Sequence, residues 1–115
     1  MFIEWSKVAI IIRPGTTDMR KHINGLSAIA QSELDKNVFN GQLFMFCSKT
    51  RRQLKILYWD RNGFCLWCKR LEKDKFPWPD ESASGWTIST EQLRMLLDGV
   101  DFFHTHQRLN YSHVM

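Results

Sequence analysis

The chain has 115 residues, 43% of them hydrophobic and 13% aromatic, and 16 Lys and Arg against 12 Asp and Glu leave a net charge of +4. One domain of this length buries somewhat over about 60% of its unfolded surface, enough for a core without staples, and the aromatic content excludes a disordered basic tail. Cys47, Cys65 and Cys68 lie inside apolar runs and are odd in number, which suits reduced core thiols in a cytoplasmic protein; no stretch reads as a secretory signal or a membrane span.

Lys7 to Ile12 is a β-branched run stopped by Arg13-Pro14-Gly15, so a strand ending in a turn is predicted. A helix should follow, capped by Thr16 or Thr17, with Asp18 at its positive end and Met19, Ile23, Leu26, Ala30 and Leu34 at helical spacing. Asn37 to Gly41 is a turn cluster. From Leu43 to Leu71, three apolar runs are broken at Ser48 to Gln53 and at Asp60 to Gly63, as a β-meander requires, and Asn62-Gly63 is a strong hairpin signal. In the second run Leu54, Ile56 and Tyr58 share one face while Lys55, Leu57 and Trp59 share the other, so both faces are substantially apolar. The third run sets Phe64, Leu66 and Cys68 opposite Cys65, Trp67 and Lys69.

The prolines of Phe76-Pro77-Trp78-Pro79 remove ladder donors, so this segment is an edge or a wrap that packs Trp78. Asp80 to Gly85 reads as a polar loop and Trp86 to Ile88 as a last short strand. Ser89 with Gln92 forms a capping box, Ile88 can staple onto Leu93, and Leu93, Leu96, Leu97 and Val100 make a buried stripe ended at Gly99. The predicted fold is α+β: an antiparallel β-meander sheet, the first strand added at an edge or the centre, with two amphipathic helices packed mainly on one face. It spans residues 1–103, and a loosely ordered tail covers 104–115.

Cys65-x-x-Cys68 with His104 and His106 has the donors of a zinc site, but cysteines three apart on a strand point to opposite faces, which favours core thiols. Asp18, Asp60, Asp98 and Asp101 are the carboxylates that a two-metal nuclease would use, yet each stands at a helix end or a turn with a structural task. No phosphate loop, nucleophile elbow or zinc-protease motif occurs, so neither catalytic residues nor a cofactor is expected.

The remaining candidate is charge. Residues 49–75 hold nine cations and three acids, +6 in a chain whose total is +4. The candidate nucleic-acid-binding residues are Lys49, Arg51, Arg52, Lys55, Arg61, Lys69 and Arg70, clustered at strand ends, with Tyr58, Trp59 and Trp67 as stacking surfaces if exposed. A solvated rim around buried aromatics accounts for the same residues, and composition leaves both readings open.

Thr17-Asp-Met-Arg-Lys21, Asn24-Gly-Leu26, Leu43-Phe-Met-Phe46, Leu54-Lys-Ile-Leu-Tyr-Trp-Asp60, Gly63-Phe-Cys-Leu66, Lys69-Arg-Leu-Glu72, Trp78-Pro79 and Leu96-Leu-Asp-Gly-Val-Asp101, in this order, resemble the small accessory proteins of the insertion-sequence-66 family of bacterial transposons. The resemblance implies a non-catalytic factor for transposition that acts with a larger transposase of the same element, while DNA as a further partner is an expectation from the basic residues alone. A pure protein adaptor without DNA binding, and a metal-dependent nuclease, are the alternatives. The chain departs from the family pattern at Ser48 to Gln53, where one basic position is lost and Arg52 replaces an acid, and at His22-Ile23. Its tail carries no basic run, so DNA contact rests on the meander.

Overall fold

Ile10, Ile11 and Ile12 are all buried, although successive side chains of a strand point to opposite faces. Only a strand inside a sheet covered on both sides meets that demand. The computed structural model describes residues 8–34, 37–81 and 86–99, and in it β1 (Ile10–Ile12) is an inner strand of a five-stranded sheet. β2 (Leu43–Cys47), β3 (Gln53–Asp60) and β4 (Gly63–Arg70) form the predicted antiparallel meander, and β5 (Trp86–Ile88) closes the other edge, in the order β4-β3-β2-β1-β5. β1 pairs parallel to β2 and antiparallel to β5. The sheet is therefore mixed rather than a pure antiparallel meander, because α1 (Ile23–Ser32) carries the chain over between β1 and β2.

The expected packing of both helices on one face is corrected by the core itself. Leu26, Ile29 and Ala30 of α1 cluster with Ile11, Phe44, Phe46 and Leu57. Leu93 and Leu96 of α2 (Thr90–Leu97) cluster with Ile10, Ile12, Leu43, Met45, Leu54, Ile56, Phe76 and Trp78. Alternation along β1, β2 and β3 assigns these groups to opposite faces, so each apolar face receives one helix. Phe44 and Phe46, fully buried under α1, contribute about 1.5–3 kcal/mol each by transfer out of water.

The second helix follows its sequence. Ser89 Oγ accepts from the Gln92 N–H at 3.1 Å and Gln92 Oε1 accepts from the Ser89 N–H at 2.9 Å. Gly99 leaves the helix at φ +81° with its N–H on the Leu96 carbonyl, a left-handed exit that favours glycine. Removing the cap hydroxyl in Ser89→Ala is expected to lower stability by about 1 kcal/mol, read as a shift of the urea midpoint at unchanged slope.

α1 departs from prediction: it starts at Ile23 behind His22, which makes no side-chain cap bond, and neither Thr16 nor Thr17 caps it. The preceding backbone is drawn into tertiary bonds instead. The Thr17 N–H donates to the Cys47 carbonyl at 2.8 Å, and the Lys55 ammonium donates to the carbonyls of Met19 and Lys21 at 2.8 and 3.0 Å. These bonds tie residues 17–21 to β2 and β3 ahead of the first helical turn.

Residues 76–79 form the expected wrap. Trp78 is buried with its Nε1 donating to the Arg13 carbonyl at 2.8 Å, and the Gly15 N–H donates to the Pro79 carbonyl at 2.9 Å. Gly15 sits at φ +77°, and a Cβ there would lie 2.7 Å from that of Glu81, so only glycine fits. The β3–β4 hairpin turns on Arg61 and Asn62, with Asp60 paired to Gly63; the positive φ falls on Arg61 rather than on the Asn-Gly pair. The strand predicted from Lys7, the polar loop through Gly85, Val100 in the apolar stripe and the tail 104–115 all fall wholly or partly outside the described residues.

Candidate nucleic-acid interface

The seven predicted contact residues do not make one rim. Arg61 sits in the β3–β4 turn, whereas Lys49, Arg51 and Arg52 sit in the β2–β3 turn at the other end of β3. Seven residue steps separate those ends, about 23 Å. Lys69 and Arg70 close β4 in register with Leu54 and Gln53, so they join the β2–β3 turn. Lys73 and Lys75, which follow β4, add to this end, since the Phe76 N–H bonds the Arg51 carbonyl at 2.7 Å. Lys49, Arg51, Arg52, Lys69, Arg70, Lys73 and Lys75 against Glu72 and Asp74 leave +5 here.

Within that end the cations have different tasks. Arg51 is half-buried in a left-handed conformation at φ 61°, its guanidinium 3.4 Å from the Trp78 carbonyl. Lys69 Nζ donates to the Leu97 carbonyl at 3.2 Å, at the negative end of α2. Lys55 is only 4% exposed, and its two carbonyl contacts take it out of any interface. Arg70 pairs with Glu72 at 3.1 Å, with both side chains more than two-thirds exposed, a pair of small net worth. Lys49, Arg52, Lys73 and Lys75 are exposed and have no side-chain partner among the described residues. The burial of Lys55 had a sequence signal: it stands between Leu54 and Ile56, mid-strand, on the face of Leu57.

Beside the β2–β3 turn an open cleft of about 480 Å³ is lined by Thr17, Asp18, Ser48, Lys49, Thr50 and Gln53. Asp18 accepts from the Arg20 guanidinium at 2.7 to 3.0 Å and from the Arg20 N–H at 2.9 Å. The Arg20 side-chain hydrogen bonds, ahead of that backbone bond, hold its carboxyl down to about 2. Its pairing therefore contributes fully above the ordinary carboxylate pKa and is lost as pH falls through about 2.

The candidate stacking residues are packed among other side chains. Trp59, Phe64 and Phe39 pack edge-on or tilted with centroids 5.0 to 5.7 Å apart at the Arg61 end; Phe39 is 54% exposed. Tyr58 and Trp67 pack against the α2-side core. Cys65 and Cys68, both free thiols, alternate to opposite faces of β4, and burial pushes the Cys47 thiol up to about 12. Asp18 and Asp60 stand at opposite ends of β3, and Asp98 ends α2; among the described residues no three His, Cys, Asp or Glu side chains gather as a metal ion would need. His104, His106 and Asp101 are outside the described residues, among which no helix is long and apolar enough to cross a membrane.

The family model for the IS66 Orf2-like protein matches residues 8–107. A protein of Sinorhizobium fredii (strain NBRC 101917 / NGR234) named "Uncharacterized protein y4hO" is 36% identical over 100 residues, covering 87% of each chain. A second from the same strain, "Uncharacterized protein y4jC", is 32% identical over 93 residues, 81% of this chain and 80% of the relative. No solved structure gives a significant match.

Proposed function

From this chain's membership of the IS66 Orf2-like family of transposition-associated accessory proteins, to which it belongs, we propose that it acts without catalysis of its own, holding DNA phosphates along its basic end while working with the separate transposase of the element. The observation that carries the reading is the gathering of Lys49, Arg52, Lys73 and Lys75, exposed and unpaired among the described residues, at one end of the sheet. Such cations release counterions when they meet a duplex, and contacts of this kind position a protein on DNA without reading its bases. Fluorescence anisotropy with short duplexes of unrelated sequence tests it. Affinity should be similar across sequences and fall with salt at a log–log slope of about −3 to −4 for four phosphate contacts. No binding at about 50 mM salt, or binding indifferent to salt, would overturn it.

A second reading, a protein adaptor of the transposase, is favoured by a different observation. The Phe39, Trp59 and Phe64 cluster, partly open to solvent, lies at the end where Asp60 and Arg61 cancel. Aromatic side chains in a near-neutral setting are the residues that anchor protein interfaces. Co-purification with the transposase that survives nuclease treatment belongs to this reading; co-purification lost on nuclease treatment belongs to the first.

A further inference from the structure

We propose that the cleft between residues 16–19 and the β2–β3 turn is a phosphate site that takes a phosphodiester of a nucleic-acid backbone, an inference that rests on the nucleic-acid reading above and narrows it to one place. Ser48 Oγ and Thr50 Oγ1 lie 3.2 Å apart, and Ser48 Oγ also accepts the Gln53 N–H at 3.0 Å. Two hydroxyls sharing one mutual bond keep one proton unspent, whichever oxygen donates. Thr17 Oγ1 accepts from Arg13 Nη1 at 2.9 Å, so its own proton is a second donor. The Lys49 ammonium, without a partner among the described residues, supplies three more N–H groups and the charge.

Asp18 is the one carboxylate of the lining, and Arg20 holds both of its oxygens. Donors in surplus, beside a free ammonium and a carboxylate already neutralised by Arg20, suit an anion rather than a cation, and a phosphate accepts several such bonds at once. A phosphodiester follows from the surroundings. The cleft is open and larger than one phosphate fills; Arg52 adjoins its lining residue Gln53 in sequence, and Arg70 pairs with Gln53 across β3 and β4. Neighbouring phosphates of the same strand would meet these two arginines.

The test uses the full chain and the double variant Lys49→Gln/Thr50→Val, which removes the cation and a hydroxyl at two exposed positions, with far-UV circular dichroism to verify the fold. Affinity for duplex DNA should fall about tenfold at fixed salt, and the salt slope should become shallower by about one. Thr50→Val alone, which keeps the charge, should lose about threefold. If the double variant binds like the parent while Arg52→Glu/Arg70→Glu loses affinity, the cleft assignment falls and the nucleic-acid reading stands. If the parent binds no duplex, the phosphodiester is overturned. A titration with inorganic phosphate alone, followed by amide NMR, then decides the rest. Shifts at Lys49, Thr50 and Gln53 that vanish in the double variant support a site for free phosphate, and their absence overturns the site.

Discussion

Reversing Arg52 and Arg70 together, R52E/R70E, is expected to lower affinity for duplex DNA by on the order of a hundredfold near 0.1 M salt. Each lost phosphate contact forfeits nearly one decade of counterion release at that ionic strength, and two new carboxylates add repulsion. The fold should tolerate both changes. Arg52 and Arg70 are exposed, the bond from the Leu71 N–H to the Arg52 carbonyl is main-chain, and the Arg70–Glu72 pair is a solvent-facing one. Arg61→Glu is the control: it makes one such reversal, two units of charge against four, about 23 Å away, beyond a Debye length of about 10 Å, and should alter affinity by less than about twofold. Parent-like affinity in R52E/R70E would remove the basic end from the interface. Transposition frequency measured with the same variants carries the result to the element itself.

Replacing Lys55 with Met is expected to cost about 2–3 kcal/mol of stability while leaving the DNA affinity of the folded protein unchanged. Met keeps an unbranched stem of similar length, so packing under α1 is largely retained and the loss is that of the ammonium. The carbonyls of Met19 and Lys21 then lack the donor that holds the start of α1 onto β3, and hydrogen bonds to a charged group are worth about 1.5–3 kcal/mol each before relaxation and water recover part. Urea unfolding gives the stability, and anisotropy well below the transition gives the affinity. A K55M variant of parental stability but weakened DNA binding would return Lys55 to the interface.

Elements whose cause is local were legible in the sequence. The capping box at Ser89 and Gln92, the Gly99 stop, the meander and the exclusion of residues 76–79 from the sheet by their prolines depend on neighbours within a few residues, and they stand where those neighbours put them. What was not legible depends on distant partners. The late start of α1 follows from Lys55 and Cys47 reaching its leading backbone. The parallel pairing of β1 follows from the crossover, and the division of the helices between two faces follows from a sheet apolar on both sides. In the same way, charge density singled out residues 49–75 correctly as the basic stretch but could not sort them. A lysine with two carbonyl partners and a lysine in open solvent are identical in composition, and the two turns of a meander lie at opposite ends of its middle strand.

The position of β1 sets the order in which this molecule can come together. Ile10 pairs with Leu43 on one side and with Ile88 on the other, so a strand near the start of the chain waits for a partner near its end. During synthesis the hairpin of β3 and β4 can form from adjacent segments, but one edge of β1 stays unpaired until Ile88 has left the ribosome. Pairings that span so much of the chain slow folding, because the loop must close before its contacts reward it. The expected order is therefore the meander first, β1 docking onto β2 next, and β5 arriving last to close the edge.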